Sequence, residues 1–106
     1  MVNLTSYGQE LAAKAAESNA GRAAHTVVHG NRFRQVQMAL KAGGALADHE
    51  NPGEASLQCL SGRVMLTAGE ESWELVAGDV ILIPQHRHRV DAHEDSVILL
   101  SVVLRG

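Results

Sequence analysis

The chain has one cysteine, Cys59, two prolines and three aromatic side chains, Tyr7, Phe33 and Trp73, among 106 residues. A lone thiol forms no internal disulfide, so an apolar core must hold the fold, and a reducing cytoplasm is the expected setting. No apolar run approaches the roughly 20 residues that a membrane helix needs. The opening Met1-Val2-Asn3-Leu4-Thr5 lacks the positive start and apolar stretch of a secretion signal. No membrane partner is therefore expected. Three aromatics are few for a platform that stacks single-stranded bases. Excess positive charge is missing as well: 12 acidic residues against 9 basic ones leave a net charge of -3. That balance disfavours a nucleic-acid surface, which must neutralise several phosphates. The short basic stripes Arg32-Phe33-Arg34 and Arg87/Arg89 do not reverse it. With 45% hydrophobic and 20% charged residues the chain reads as one soluble domain.

Histidine is what the chain has in quantity: His25, His29, His49, His86, His88 and His93. Imidazole is the commonest metal ligand and titrates near neutrality, so function is sought there first. Residues 1–22 read as a helical segment. Leu4, Leu11, Ala12, Ala15 and Ala16 form a weak apolar stripe, Ser6 and Gln9 resemble a capping box, and Asn19-Ala20-Gly21 ends it. From residue 23 to 106 the pattern changes to short Val/Leu/Ile runs broken by Gly or Pro, as in an antiparallel sandwich or barrel. Val36, Met38 and Leu40 alternate with polar or small residues. Leu57–Leu60, Val64–Thr67 and Trp73–Val76 read as a meander with hairpin-length connections. Val80–Ile83 and Val97–Leu104 are apolar on both faces and are expected to be covered on two sides.

Two glycine-anchored segments carry a resemblance. Gly43, His49, Asn51, Ala55 and Gly62 hold the spacing of one motif, and Gly78, Pro84, His86 and Arg89 that of a second, with His88 one residue early. Over residues 36–104 the chain resembles the cupin superfamily. The resemblance implies an all-β fold, a double-stranded β-helix or jelly-roll barrel, here with a short N-terminal helix. It also implies a frequent dimer and, in enzymatic relatives such as oxygenases and isomerases, a divalent metal on three His and one Glu. In this chain Asn51 and Ala55 stand at two of those ligand positions.

Strand alternation puts His86, His88 and Val90 on one face and Arg87, Arg89 and Asp91 on the other, with apolar Val90 marking the first as inward. His49 shares its face with Ala45 and Ala47, whose small side chains leave room in the barrel mouth. His49, His88 and His86 thus form a candidate three-nitrogen site for zinc, nickel, iron, manganese or copper. Glu54 joins it only through a one-residue register shift. The same imidazoles, with Asn51, also suit a metal-free pocket for a small molecule. Gln58 and Met65 line that pocket only if the strand register is shifted. The expected role is small-molecule binding at the mouth. The alternatives are a metal-dependent dioxygenase or isomerase, or a metal-free structural or sensing module in which the histidines and Arg87 or Arg89 hold an anion. Cys59 shares strand parity with Leu57 and reads as an inert core thiol, and Trp73 with Leu75 as core. His25, His29 and His93 read as exposed. The apolar stretch 97–104 and the segment 24–41 point to a homodimer.

Overall fold

The computed structural model describes residues 1–49 and 53–104, which form one helix and nine strands. Helix α1 spans Leu4–Glu17. Its cap differs from the expected Ser6/Gln9 box: Asn3, in extended conformation, accepts the Ser6 amide on Oδ1 at 3.0 Å. Ser6 already lies in the first turn, so its own hydroxyl cannot serve as the cap. The apolar stripe is narrower than the alanine pattern suggests. Leu11 and Ala15 pack on Ala39, flanked by Tyr7 and Val97, whereas Ala12 and Ala16 stay exposed. Gly8 lets the helix approach closely, because a Cβ there would stand 2.8 Å from Gln37 Nε2. That amide nitrogen donates to the Leu4 carbonyl at 2.7 Å and pins the first turn to the sheet below.

The strands are β1 (Arg22–His29), β2 (Phe33–Leu40), β3 (Ala45–His49), β4 (Gly53–Ser61), β5 (Arg63–Ala68), β6 (Glu71–Val76), β7 (Val80–Leu82), β8 (His88–Ala92) and β9 (Ser96–Leu104). They form two antiparallel sheets in the orders β1-β2-β9-β4-β7 and β3-β8-β5-β6. The expected meander is corrected here. β5 and β6 do form a hairpin, but β4 and β5 lie in different sheets. The chain changes sheets at Gly62, whose φ is +84°. Periodicity identifies a strand and its buried face, not its neighbour, so a one-residue crossover reads like a tight hairpin.

Alternation builds the core between the sheets. Ala55, Leu57 and Cys59 of β4 meet Val64 and Leu66 of β5, Val90 and Ala92 of β8, and Ile98 and Leu100 of β9. The two outer faces differ. On the smaller sheet Arg63 pairs with Glu74, Arg89 with Asp91 and the Thr67 hydroxyl with Ser72, as on a solvated face. On the larger sheet α1 covers Ala39 and Val97, and the remainder is bare. The expected two-sided cover is therefore met only in part: Leu99 is buried, but Val80, Leu82 and Val103 are 63%, 65% and 51% exposed. No helix among the described residues is long and apolar enough to cross a membrane.

Candidate functional site

The site sits at one end of the smaller sheet. β8 alternates His88, Val90 and Ala92 inward and Arg89 and Asp91 outward. Ladder pairs set Ala92 against Val64, Val90 against Leu66 and His88 against Ala68. On its other edge β8 pairs with β3, where a register shift after Leu46 brings His49 directly across from His88. The two stretches that carry the sequence motifs thus converge on one pair of adjacent backbone positions. His88 is 2% exposed. Its Nδ1 lies 3.1 Å from the His86 carbonyl. A carbonyl only accepts, so Nδ1 carries a proton and, in the neutral ring, Nε2 holds the lone pair.

His86 does not join this pair. β8 begins at His88, and two residues earlier the chain is a turn in which the His86 amide donates to the Pro84 carbonyl. Parity does not extend through a turn, so the His86 side chain is exposed and its backbone, not its ring, supports His88. Glu54 and Gln58 are corrected as well. On β4 the core-facing residues are Ala55, Leu57 and Cys59, so exposed Glu54 and half-buried Gln58 belong to the outer face of the other sheet. Met65 likewise sits on the outer face of β5. No register shift occurs where it would be needed to turn them inward. Asn51 lies outside the described residues. Trp73 and Leu75 pack with the core. His25, His29 and His93 are exposed, and the His25 ring rests 5.0 Å from that of Tyr7 on α1.

Around His88 opens a cleft of about 700 Å³. His86, Arg87 and Arg89 form its basic side, with Arg89 held bidentately by Asp91 at 2.8 and 2.9 Å. The opposite wall is the β5–β6 hairpin with Thr67, Glu70 and Glu71. These three were not legible as site residues, because the sequence shows only a turn at Ala68-Gly69-Glu70-Glu71. Register reveals one of them: Glu71 pairs with Ala68, which pairs with His88, which pairs with His49. One row across the sheet therefore carries a carboxylate at one end and two histidines at the other. At about 4.8 Å per strand, the backbone positions of Glu71 and His88 stand about 10 Å apart, which leaves room for a small molecule between the two side chains.

The sequence profile of the cupin domain family matches residues 36–103. The chain is a cupin. Its fold is similar to solved structures of varied description. One is a conserved protein of unknown function from Streptococcus pyogenes, 26% identical, covering 84% of this chain and 79% of that one, with a TM-score of 0.75. Another is KdgF from Halomonas sp., 21% identical over 83% of this chain and 84% of that one, TM-score 0.68. A third is the DMSP lyase DddQ from Ruegeria pomeroyi, 18% identical over 77% of this chain and 46% of that one, TM-score 0.70. Nothing among the curated proteins matches.

A structural or catalytic transition-metal site generally takes at least three protein ligands. Among the described residues no three His, Cys, Asp or Glu side chains cluster to that end. The interior position that the motif reserves for Glu is Ala55, 3% exposed and packed in the apolar core.

Cys59 lies in the apolar core rather than at the cleft. Its thiol is buried, and burial followed by the negative charge of Asp79 pushes its pKa up, away from the reactive thiolate. Its S–H donates to the Ser61 carbonyl at 3.3 Å. A thiol-exchange reagent at mildly alkaline pH is expected to modify Cys59 only at the rate of unfolding; immediate modification of native protein would contradict this. The folded thiol holds its proton more tightly than the unfolded one. The stability linked to it is therefore complete below the ordinary thiol range and is lost as pH rises through the folded value.

Proposed function

We propose that this cupin binds a small anionic molecule at the mouth of its barrel, in the cleft that opens at His88. The observation that carries this reading is a buried imidazole, oriented by the His86 carbonyl, at the head of a cleft with Arg87 and Arg89 on its rim. Cationic and imidazole donors favour a carboxylate or a similar anion. Glu71, at the far end of the same row, favours a ligand whose other end donates hydrogen bonds, as a hydroxyl or ammonium group does. The fold by itself selects no reaction, since one barrel hosts many chemistries.

Thermal unfolding in the presence of a panel of small mono- and dicarboxylic acids, with and without a chelator, tests the reading. An acid present at about 100 times its Kd raises the unfolding free energy by about 2.7 kcal/mol, and the gain is expected to survive chelation. No stabilisation by any acid at millimolar concentration would end the proposal. A second reading, a divalent metal on His49 and His88, is supported by the protonated Nδ1 of His88, which leaves Nε2 as the ligating nitrogen. Near-stoichiometric metal in protein purified without an affinity tag, lost in His88→Ala, would favour it. The working unit is read as a cytoplasmic homodimer.

A further inference from the structure

We infer that Arg34, from the larger sheet, holds the carboxylate of the ligand across the mouth from His88. The ligand is then a short acid whose other end carries the hydroxyl or ammonium group that faces Glu71. The inference rests on the proposed binding of a small anion at the cleft and deepens it by adding a residue and orienting the ligand. Parity places Arg34 on the inner face of β2. It shares that face with Val36, Met38 and Leu40, all of which pack in the core between the sheets. Its ladder row continues through Val102 to Ala55, both packed in the same core. In the other direction the row ends at His29, and a bulge puts it there. Val27 is the extra residue of β1, so His29 rather than Val28 stands opposite Arg34.

This row lies at the mouth. β3 ends at His49 and β4 begins at Gly53, whose partner Leu104 is two residues beyond Val102. β3 follows β2 through the turn at the opposite end and so lies on the β2 side of the sandwich, while β6 packs on β4. The basic end of the row, His29 and Arg34, therefore faces the His49–His88 end of the row on the smaller sheet. Its apolar end, Val102 and Ala55, faces the Glu71 end. Packed sheets stand about 10 Å apart, room for a carboxylate between an arginine and an imidazole. Two basic side chains paired across strands repel when both are charged, and an anion between them removes that cost. Among the described residues no carboxylate pairs with either. Arg34 is half-buried, and its Nη1 donates to the carbonyls of Gly30 and Phe33 at the β1–β2 turn. Those bonds fix the plane of the guanidinium and leave its Nε–Nη2 edge, which takes a carboxylate through two parallel hydrogen bonds.

Calorimetric titration of the full chain with 4-hydroxybutyrate and with its uncharged amide tests the assignment. The wild type is expected to prefer the acid at least about tenfold. Arg34→Gln should weaken binding of the acid at least about tenfold and of the amide less than about threefold. Arg32→Ala, in the exposed turn before β2, should change neither by as much as about threefold. A role confined to holding the turn would lower both affinities alike in Arg34→Gln and overturns the assignment. A second measurement leaves the chain unaltered: the acid, and not the amide, should protect Arg34 of the wild type from phenylglyoxal, read by peptide mass mapping. Absence of that protection at saturating acid overturns the assignment. A wild type that binds other acids but not 4-hydroxybutyrate, or binds it no better than Arg34→Gln does, overturns the assignment and leaves the cleft reading standing. A wild type that binds no acid overturns both.

Discussion

Gly62→Ala is expected to destabilise the protein by about 3 kcal/mol or more, enough to remove much of the stability of a domain this size. Two costs add. The backbone there has φ +84°, a conformation that strains any residue with a Cβ by about 1–3 kcal/mol. The new methyl would also collide with the Asp95 carbonyl oxygen and stand 2.7 Å from Ser96 Cα, both backbone atoms that cannot move without shifting the start of β9. Ser96 closes the crossover: its hydroxyl accepts the Arg63 amide at 3.0 Å and donates to the Glu94 carbonyl at 2.7 Å. Gly69→Ala is the control, because φ there is +62° but nothing lies within 4 Å of the added Cβ. It should cost only the backbone strain, about 1 kcal/mol. Chemical denaturation of the two variants reads the difference. Equal losses would show that the steric contact at the crossover contributes nothing.

His88→Ala is expected to weaken acid binding at least about tenfold, which is about 1.4 kcal/mol, while His86→Ala, which removes a solvent-screened imidazole from the basic side of the same cleft, costs less, about threefold. The asymmetry follows from geometry. His88 is buried at the head of the cleft, and its ring is aimed by the bond to the carbonyl of His86. That bond uses the backbone of residue 86 and survives loss of its side chain. The Glu71→Gln variant tests the far end of the row. It should lose affinity for acids that carry a hydroxyl or ammonium group and keep it for those that do not. Calorimetric titration with one acid of each kind checks all three variants, and unchanged binding by His88→Ala would remove the site from this cleft.

Alternation carried the reading of β8 and β4 a long way. Val90 marked the inward face, which placed His88 correctly, and the parity of Leu57 with Cys59 marked a core thiol. Parity also showed that Glu54 could reach the interior only through a register shift, and no such shift occurs. The same logic misplaced His86, because a period of two holds only within a strand and β8 does not begin until His88. The α1 cap was misread for a related reason: Ser6 and Gln9 have the right spacing, but Asn3 three residues before Ser6 is the residue whose oxygen reaches the Ser6 amide. Glu71 was invisible as a site residue, since its place opposite the histidines depends on three successive strand pairings.

By itself the sequence determined the fold family, the buried parity of β2, β4 and β8 and the two histidine-bearing stretches from which the candidate site is drawn. These depend on spacing along the chain, where turn glycines and apolar alternation act locally. Only the tertiary structure decided which strands became neighbours, that β4 and β5 part at Gly62 into different sheets, and that His49 pairs with His88 in the ladder while His86 falls in the turn before β8. Strand pairing is a long-range choice made by whole-face packing, and adjacent residues carry no record of it.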